Sequence, residues 1–152
     1  MITPDSPASA SDSGPRDMTV TLPRPLANQL LAHAQSAPET EICGLIGARN
    51  GAPASRYPVA NIAETPTHLF AMDPQEQIEA FRTMRDRDEA LFAIYHSHPG
   101  SPAAPSATDL AQANYPDALY LIISLQTRGV LELRGYTLRE GGVQEVELEI
   151  QG

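Results

Sequence analysis

One uninterrupted apolar run, residues 119–125 (Leu-Tyr-Leu-Ile-Ile-Ser-Leu), constrains the fold more than any other part of the sequence. A strand that is apolar along its whole length is expected at the centre of a sheet whose two faces are both covered. Covering both faces of a sheet requires helices on each side. The run therefore predicts the α/β class, with a single mixed β-sheet flanked by helices on both faces.

Further strands are predicted from short apolar or alternating segments that are bounded by turn residues. They are expected at residues 18–22, 41–47, 57–62, 68–72, 91–95, 130–138 and 143–150. The dipeptide Asn50-Gly51 follows the second of these segments and predicts a tight hairpin. Residues 126–129 and 140–142 are expected to form the last two turns of the sheet.

Two of the three predicted helices lie at residues 26–36 and 107–113. The first has an apolar side that is expected to face the core. That side consists of Leu26, Leu30, Leu31 and Ala34. The second is short and ends before Pro116, since a residue that precedes a proline is disfavoured in a helix.

The remaining helix is predicted to begin after the N-cap Asp73, with Pro74 at its first position and Glu76 as a capping-box acid. It runs to about residue 87, and its core-facing side is expected to carry Ile78, Phe81 and Met84. Charged residues toward its end are expected on a solvated face. These are Arg82, Arg85, Asp86, Arg87, Asp88 and Glu89.

Composition limits the domain organisation and the partners. Residues 1–17 are rich in Ser, Pro, Ala and Asp and are expected to form a disordered N-terminal tail, which leaves residues 18–152 for one folded domain. A net charge of −9 argues against a nucleic-acid partner, because nucleic-acid binding depends on basic surface. A single cysteine suits a reducing compartment. Without a membrane-length apolar run or a secretory leader, the protein is expected in the cytoplasm with no membrane partner.

Residues 96–109, directly after the apolar segment 91–95, hold the strongest chemical pattern of the chain. On a strand, side chains two residues apart point to the same face, so His96 and His98 are expected to project together. Asp109 follows after a proline-rich loop that is long enough to fold back on the histidines. Two imidazoles and a carboxylate make three ligands for a tetrahedral metal ion, and catalytic zinc sites keep the fourth position for water.

Each of these residues also has a simpler explanation by itself. Ser106 and Asp109 form the Ser-x-x-Asp pattern of a helix N-cap, in which the acid also stabilises the helix dipole. A single histidine at a strand end is usually a surface or hydrogen-bonded side chain. The combination of His96, His98 and the Ser-x-x-Asp pattern is what favours a metal site.

A zinc site that hydrolyses an amide needs a carboxylate that takes a proton from water and later gives it to the leaving amine. The chain has no His-Glu-x-x-His motif, so this carboxylate must come from another part of the sequence. Glu41 is the leading candidate because it precedes an apolar strand whose glycines, Gly44 and Gly47, permit close packing. Glu39 and Glu64 lie in polar connections and are weaker candidates.

Taken together, Glu41, the His-x-His-Pro motif at residues 96–99 and the Ser-x-x-Asp motif at residues 106–109 resemble the JAMM (MPN-plus) zinc metalloprotease family. The resemblance extends over about residues 20–150. It implies that residues 18–152 form a JAMM/MPN-plus domain with a cytidine-deaminase-like architecture.

The resemblance also implies a role for each motif residue. His96, His98 and Asp109 would bind Zn²⁺, and Glu41 would hold and deprotonate the attacking water. Ser106 would donate a hydrogen bond to the developing oxyanion or to the water.

Within that family the chain is similar to small stand-alone bacterial members that process the C-terminal tail of ubiquitin-like sulfur carriers. This implies a zinc-dependent peptidase or isopeptidase whose partner is a ubiquitin-like sulfur-carrier protein with a C-terminal Gly-Gly tail, or an amino-acid conjugate of it. The alternative is a catalytically inactive MPN-type interaction scaffold, and the intact motif argues against it. A nucleobase deaminase would need a Pro-Cys-x-x-Cys motif, which the chain lacks. The acidic charge and Glu41 disfavour the DNA-repair-associated relatives that carry a similar His-x-His-Pro stretch.

Other residues near the motif receive structural expectations. Cys43 is expected to pack as a small buried hydrophobe rather than to act as a nucleophile. His68 is assigned no role. The loop at residues 100–105, stiffened by Pro102 and Pro105, is expected either to form one wall of the substrate channel or to be a plain exposed loop.

Overall fold

A computed structural model describes residues 18–126, 131–139 and 142–152 of the chain. Its elements follow one another as β1 (Thr19–Pro23), α1 (Arg24–Ser36), β2 (Cys43–Arg49), β3 (Ala52–Val59), α2 (Pro74–Asp86), β4 (Ala90–His98), α3 (Ala107–Ala111), β5 (Leu119–Ser124), β6 (Glu132–Arg139) and β7 (Gly142–Gln151). The predicted tail at residues 1–17 and most of the predicted turns at residues 126–129 and 140–142 lie outside the described residues, so all three stay predictions. None of the helices described is long and apolar enough to cross a membrane.

The seven strands form one mixed sheet in the order β1-β7-β6-β5-β4-β2-β3. β4 lies between β2, to which it is antiparallel, and β5, to which it is parallel. β6 and β7 extend the sheet in antiparallel fashion beyond β5, and β1 closes that side in parallel with β7. The predicted mixed sheet is confirmed, and every residue of β5 is buried, as its apolar sequence indicated.

Helices cover both faces of this sheet, and the alternation of β5 shows why both are needed. Leu121 and Ile123 belong to the core that includes Leu30 of α1. Tyr120 and Ile122 point to the opposite face and share a second core with Met84 of α2. Burial of each large apolar side chain stabilises the fold by about 1.5–3 kcal/mol, so the two cores together fix the helices on opposite faces.

The hairpin between β2 and β3 forms where the sequence predicted it. Asn50 and Gly51 both have positive φ angles, 53° and 82°. Two consecutive left-handed residues make the type I′ turn, whose twist matches that of antiparallel strands. On its other edge β2 pairs with β4, with Cys43 opposite His96.

Residues 68–72 do not form the predicted strand. The backbone amides of His68 and Leu69 both donate to the Thr65 carbonyl, so the segment begins as a turn. Beyond this turn the only ladder contact of the segment is an isolated bridge between Asn61 and Met72. Strand 57–62 is also shifted, since β3 ends at Val59.

The start and the apolar side of α2 differ from the sequence prediction. The Asp73 side chain caps the helix by accepting from the Gln75 amide, as expected. Glu76 does not complete a capping box, because its carboxylate accepts from the Ala60 amide at 2.8 Å instead. Ile78 is 53% exposed and therefore lies outside the core, where Ala80 and Met84 provide the contact with the sheet.

Glu89 is buried, contrary to the prediction of a solvated charged face at residues 82–89. The chain reverses at Asp88, which has a φ of 59°, and this reversal turns Glu89 toward the sheet at the start of β4. Its carboxylate accepts hydrogen bonds from the Ser55 hydroxyl at 2.7 Å and the Tyr57 hydroxyl at 2.6 Å. These donors satisfy the buried charge, which explains how a carboxylate fits at this position.

Candidate metal centre

The end of β4 carries both motif histidines, and burial holds both rings in place. His96 and His98 are 1% and 2% exposed. They lie two residues apart on one strand, so they project from the same face of the sheet, as predicted. β5 runs parallel beside them, with Ile122 opposite His96 and Ser124 opposite His98.

Asp109 lies in the first turn of α3, and its carboxylate meets the two imidazoles. Asp109 Oδ2 is 3.1 Å from His96 Nε2 and 3.1 Å from His98 Nε2. The two Nε2 atoms are themselves 3.1 Å apart. The three predicted ligand residues are therefore brought together, with one side-chain atom from each at the corners of an almost equilateral triangle.

The helix cap holds the Asp109 carboxylate in this position. Ser106 Oγ accepts from the Asp109 amide at 3.0 Å, and the Ser106 amide donates to Asp109 Oδ2 at 2.9 Å. This reciprocal pair is the capping box that the Ser-x-x-Asp pattern indicated. The Asp109 carboxylate both caps α3 and contacts the two histidines. The helix-cap and metal-ligand explanations of the Ser-x-x-Asp pattern are therefore compatible.

The two imidazoles are oriented in different ways. His98 Nδ1 lies 2.7 Å from the Pro102 carbonyl oxygen, which fixes the ring so that Nε2 faces the cluster. His96 Nδ1 has no hydrogen-bond partner in the described part of the chain. Instead the His96 ring stacks on Phe70, with centroids 4.4 Å apart and planes inclined by 25°. The sequence analysis assigned Phe70 no role in the site, because it placed this residue in a predicted strand at residues 68–72 and a phenylalanine in a strand does not by itself indicate contact with a distant histidine.

Glu41 approaches the same cluster from the segment before β2. One of its carboxylate oxygens lies within 4.8 Å of a ring nitrogen of His96 and of His98. The side chain is 5% exposed, and Oε1 has no hydrogen-bond partner among the residues described. A buried carboxylate oxygen without a partner costs free energy, so its position beside two imidazoles marks a site for a ligand or a proton.

Burial and the mutual charges shift the ionisation of all four groups. Burial raises the pKa of Glu41 to about 7, against the opposing effect of His98. Burial lowers the pKa of His96 in spite of its contact with Asp109. Burial acts in the same direction on His98, but the hydrogen bonds to Asp109 and Pro102 outweigh it and raise the pKa of that ring. For Asp109, burial is outweighed by the hydrogen bonds from both histidines, which hold its pKa well below the usual range.

The donor set fits a zinc ion. Ligand atoms about 2.0–2.2 Å from a tetrahedral ion lie roughly 3.3 Å from one another, close to the separations found here. Two nitrogens and a carboxylate oxygen are also the donor types that zinc prefers. His96, His98 and Asp109 can therefore hold Zn²⁺, and the unpartnered Glu41 oxygen lies nearby without being needed as a ligand.

A cleft of about 450 Å³ opens onto this cluster. Glu41, His98 and Ser106 lie on its wall, together with Gly100 and Ser101 of the proline-rich loop. The lining also contains Glu39, a weaker candidate for the base, and three residues that the sequence did not assign to the site, namely Pro38, Thr67 and His68. The loop at residues 100–105 thus contributes to the cleft wall, one of the two expectations for it.

Cys43 does not take part in this chemistry. It is fully buried in β2, and its thiol donates to the Val59 carbonyl at 3.4 Å. Burial raises the pKa of Cys43 to about 12, so the thiol stays protonated near neutral pH. The expectation of a structural cysteine agrees with this environment.

Comparison with known proteins identifies the family. A model of the prokaryotic homologues of the JAB domain matches residues 23–136. The chain is 35% identical over 127 residues to the CysO-cysteine peptidase of Mycobacterium tuberculosis, which covers 82% of this chain and 86% of that protein. It is 31% identical over 137 residues to the probable TtuB-protein conjugate cleaving protease of Thermus thermophilus, with 90% and 86% covered.

Solved structures agree with this result. A protein from Desulfitobacterium hafniense superposes with a TM-score of 0.78 at 36% identity, covering 87% of this chain and 92% of that one. A JAB1/MPN domain protein from Archaeoglobus fulgidus has the same fold, with a TM-score of 0.60 at 19% identity over 88% and 98% of the two chains. The resemblance inferred from the motif is confirmed: the chain belongs to the Prok-JAB family, the prokaryotic homologues of the JAB domain.

Proposed function

We propose that the chain is a zinc-dependent peptidase or isopeptidase that hydrolyses an amide bond at the C-terminal tail of a ubiquitin-like sulfur-carrier protein or of its conjugate. The observation that carries this proposal is the unpartnered, buried Glu41 oxygen beside two converging imidazoles. The relatives support the choice of substrate, because by their names one acts on CysO-cysteine and the other cleaves TtuB-protein conjugates.

In this proposal His96, His98 and Asp109 would hold the zinc ion. Zinc, when bound, supplies a Lewis acid that polarises the scissile carbonyl and makes water acidic enough to react near neutral pH. The Pro102 carbonyl and the Phe70 ring keep the two imidazoles in place. A fixed ligand geometry avoids reorganisation during the reaction.

Glu41 acts as the proton carrier. It takes a proton from the attacking water as the new C–O bond forms, and it delivers a proton to the amide nitrogen as the C–N bond breaks. Burial favours the protonated form of the Glu41 carboxyl, and a carboxyl that can both take up and release a proton suits both roles. Ser106 lines the cleft and its hydroxyl donates to the developing oxyanion.

The tail of the carrier would enter the cleft in extended form. Glycines at its end would be selected because a chain without side chains passes close to the buried ligand cluster. Replacing each tail glycine by alanine in turn tests this step, and unchanged cleavage would reject it.

The reaction itself is tested by incubating the purified chain with a ubiquitin-like carrier that ends in Gly-Gly followed by one further residue, and with an isopeptide-linked form of the same carrier. Intact mass spectrometry should show loss of the residue or of the linked protein. A chelator should stop the reaction, and added Zn²⁺ should restore it. An unchanged mass in the presence of zinc would instead support the alternative of an inactive MPN-type scaffold.

A further inference from the structure

Asn61, a half-buried residue that follows β3, makes every hydrogen bond that its side chain can offer. Its Nδ2 donates to the Glu41 carbonyl and to the Leu69 carbonyl, both at 2.9 Å. Its Oδ1 accepts from the Ala63 and Ala71 amides, both at 3.0 Å. An amide side chain has two donor hydrogens and two acceptor lone pairs, so Asn61 is fully used.

Two of these hydrogen bonds connect Asn61 to the segment that contacts His96. The bonds to Leu69 and Ala71 fix the backbone on either side of Phe70, in a segment that has no strand ladder of its own. Phe70 stacks on His96, whose Nδ1 lacks a hydrogen-bond partner in the residues that the structure describes. Packing against Phe70 therefore replaces the hydrogen bond that usually orients a ligand imidazole.

A third hydrogen bond connects Asn61 to the backbone of Glu41, the proposed base. Asn61 bonds the Glu41 carbonyl, and Pro66, which lies within the same excursion of the chain, accepts from the Glu41 amide at 2.7 Å. The next peptide group is tied to β4, because the Ile42 amide donates to Ser97 Oγ at 2.9 Å. The backbone that carries Glu41 is thus held between the Asn61 network and the histidine strand.

We propose that Asn61 is a positioning residue that sets the Glu41 carboxylate and the His96 ring relative to each other through its bonds to the Glu41 carbonyl and to the segment around Phe70. Asn61 bonds Glu41 through the backbone carbonyl and not through the carboxylate. The predicted effect on catalysis rests on the proposed function, whereas the predicted effect of Asn61 on the backbone at Glu41 does not depend on it.

Two variants test this inference. Asn61→Asp keeps the size and the acceptor atoms of the side chain but removes both donor bonds, to Glu41 and to Leu69. Asn61→Ala removes all four bonds. In both, kcat for carrier cleavage should fall by about 10–100-fold, the usual cost of losing an outer partner of a metal site. KM should change less than kcat, because Asn61 itself does not line the cleft.

Amide hydrogen exchange of the purified chain supplies a readout that needs no substrate. In the Asn61 variants the Glu41 amide should exchange faster by about fivefold, the factor expected for one lost hydrogen bond. The Leu121 amide in the central strand should keep its original rate. A loss of global stability alone would accelerate both amides by the same factor, since both would then exchange through global unfolding.

Glu89→Gln is the matched control, because it disturbs the buried hydrogen bonds from Ser55 and Tyr57 at the end of the β2–β4 pair that lies away from Glu41. It should leave kcat unchanged and should not accelerate the Glu41 amide relative to Leu121. Unchanged kcat in both Asn61 variants, or equal acceleration of Glu41 and Leu121, would overturn the positioning role. If the original chain cleaves no carrier conjugate, the proposed function fails, whereas the exchange result still decides the role of Asn61.

Discussion

Two buried glutamates lie at opposite ends of the β2–β4 strand pair, and their surroundings differ in one decisive way. Glu41 precedes β2 beside the histidines, is 5% exposed, and has an oxygen without a partner in the described structure. Glu89 precedes β4 at the other end, is 8% exposed, and accepts from Ser55 and Tyr57. Burial by itself therefore does not distinguish the proposed base from Glu89, whereas unmet hydrogen-bonding capacity does.

The ionisation of the two carboxyls follows from this difference. Burial raises the pKa of Glu41 to about 7. Burial has the same tendency at Glu89, but the hydrogen bonds from Tyr57 and Ser55 and the charge of Arg49 outweigh it and lower the pKa. Burial thus favours proton uptake by the Glu41 carboxyl, whereas the hydrogen bonds and the nearby cation keep the Glu89 carboxyl charged.

The sharpest test of this contrast is Glu41→Gln, which keeps shape and removes the base. Turnover should fall by about 10²–10⁴-fold, the usual contribution of general acid–base catalysis. Zinc content should stay the same, because the proposed ligands are untouched. Single-turnover rates by intact mass and elemental analysis of the purified variant measure the two quantities. Glu39→Gln, which removes a neighbouring carboxylate of the cleft, is the control, and turnover retained in Glu41→Gln would place the base elsewhere.

Removing a proposed ligand should affect zinc content rather than the base. His98→Ala and Asp109→Ala should each weaken zinc binding by more than about 10–100-fold, the range measured for the outer partners of ligands. Competition with a coloured chelator gives the affinity. His68→Ala changes a histidine of the same cleft that has no proposed role and should bind zinc normally. Full affinity in both ligand variants would refute the ligand assignment.

At the Glu89 end the expected loss is in stability. Glu89→Gln replaces an acceptor of two buried hydrogen bonds by an amide, which cannot accept from both hydroxyls in the same way. The free energy of unfolding should fall by about 1–3 kcal/mol. Denaturant unfolding measures this change, and turnover per folded molecule should not change. A loss of turnover larger than the unfolded fraction would show that the two ends are coupled.

The smallest expected effect is a pH dependence of stability from Glu89. Its pKa in the folded chain lies below the ordinary value of 4.5, so the unfolded chain binds the proton more readily. Its contribution to stability is therefore complete above that value and is lost as the pH falls through the lower folded-state pKa. The stability difference between the original chain and Glu89→Gln should shrink in denaturant titrations as the pH falls below the ordinary pKa of 4.5. A difference that stays constant would contradict the assignment.

The same contrast explains which features the sequence could predict. The apolar run at residues 119–125 and the alternation of His96 and His98 depend on local periodicity, so β5 and the paired imidazoles could be anticipated. Glu89 could not, because a charged residue after a helix is usually exposed and its burial depends on the chain reversal at Asp88. The strand prediction at residues 68–72 was wrong because that segment begins as a turn and pairs only through an isolated bridge, while Leu69 and Ala71 bond the Asn61 side chain.

The geometry of the histidine and aspartate cluster also depends on tertiary contacts that the spacing of residues in the sequence does not predict. The convergence of Asp109 with the histidines could be expected from the length of the loop between them. The stacking of Phe70 on His96 brings together two segments from different parts of the chain, and no local pattern marks it. Tertiary contacts of this kind have to be measured.

The support of each imidazole by a different loop matters for attempts to retarget the protein. Phe70 stacks on His96 and the Pro102 carbonyl faces His98, and both residues lie in loops that border the cleft. A mutant library that randomises these loops completely is therefore expected to lose the proposed zinc affinity together with the proposed selectivity for carrier tails. Variation restricted to Thr67, His68 and Gly100, which line the cleft, would explore new leaving groups while the supports of both rings stay intact.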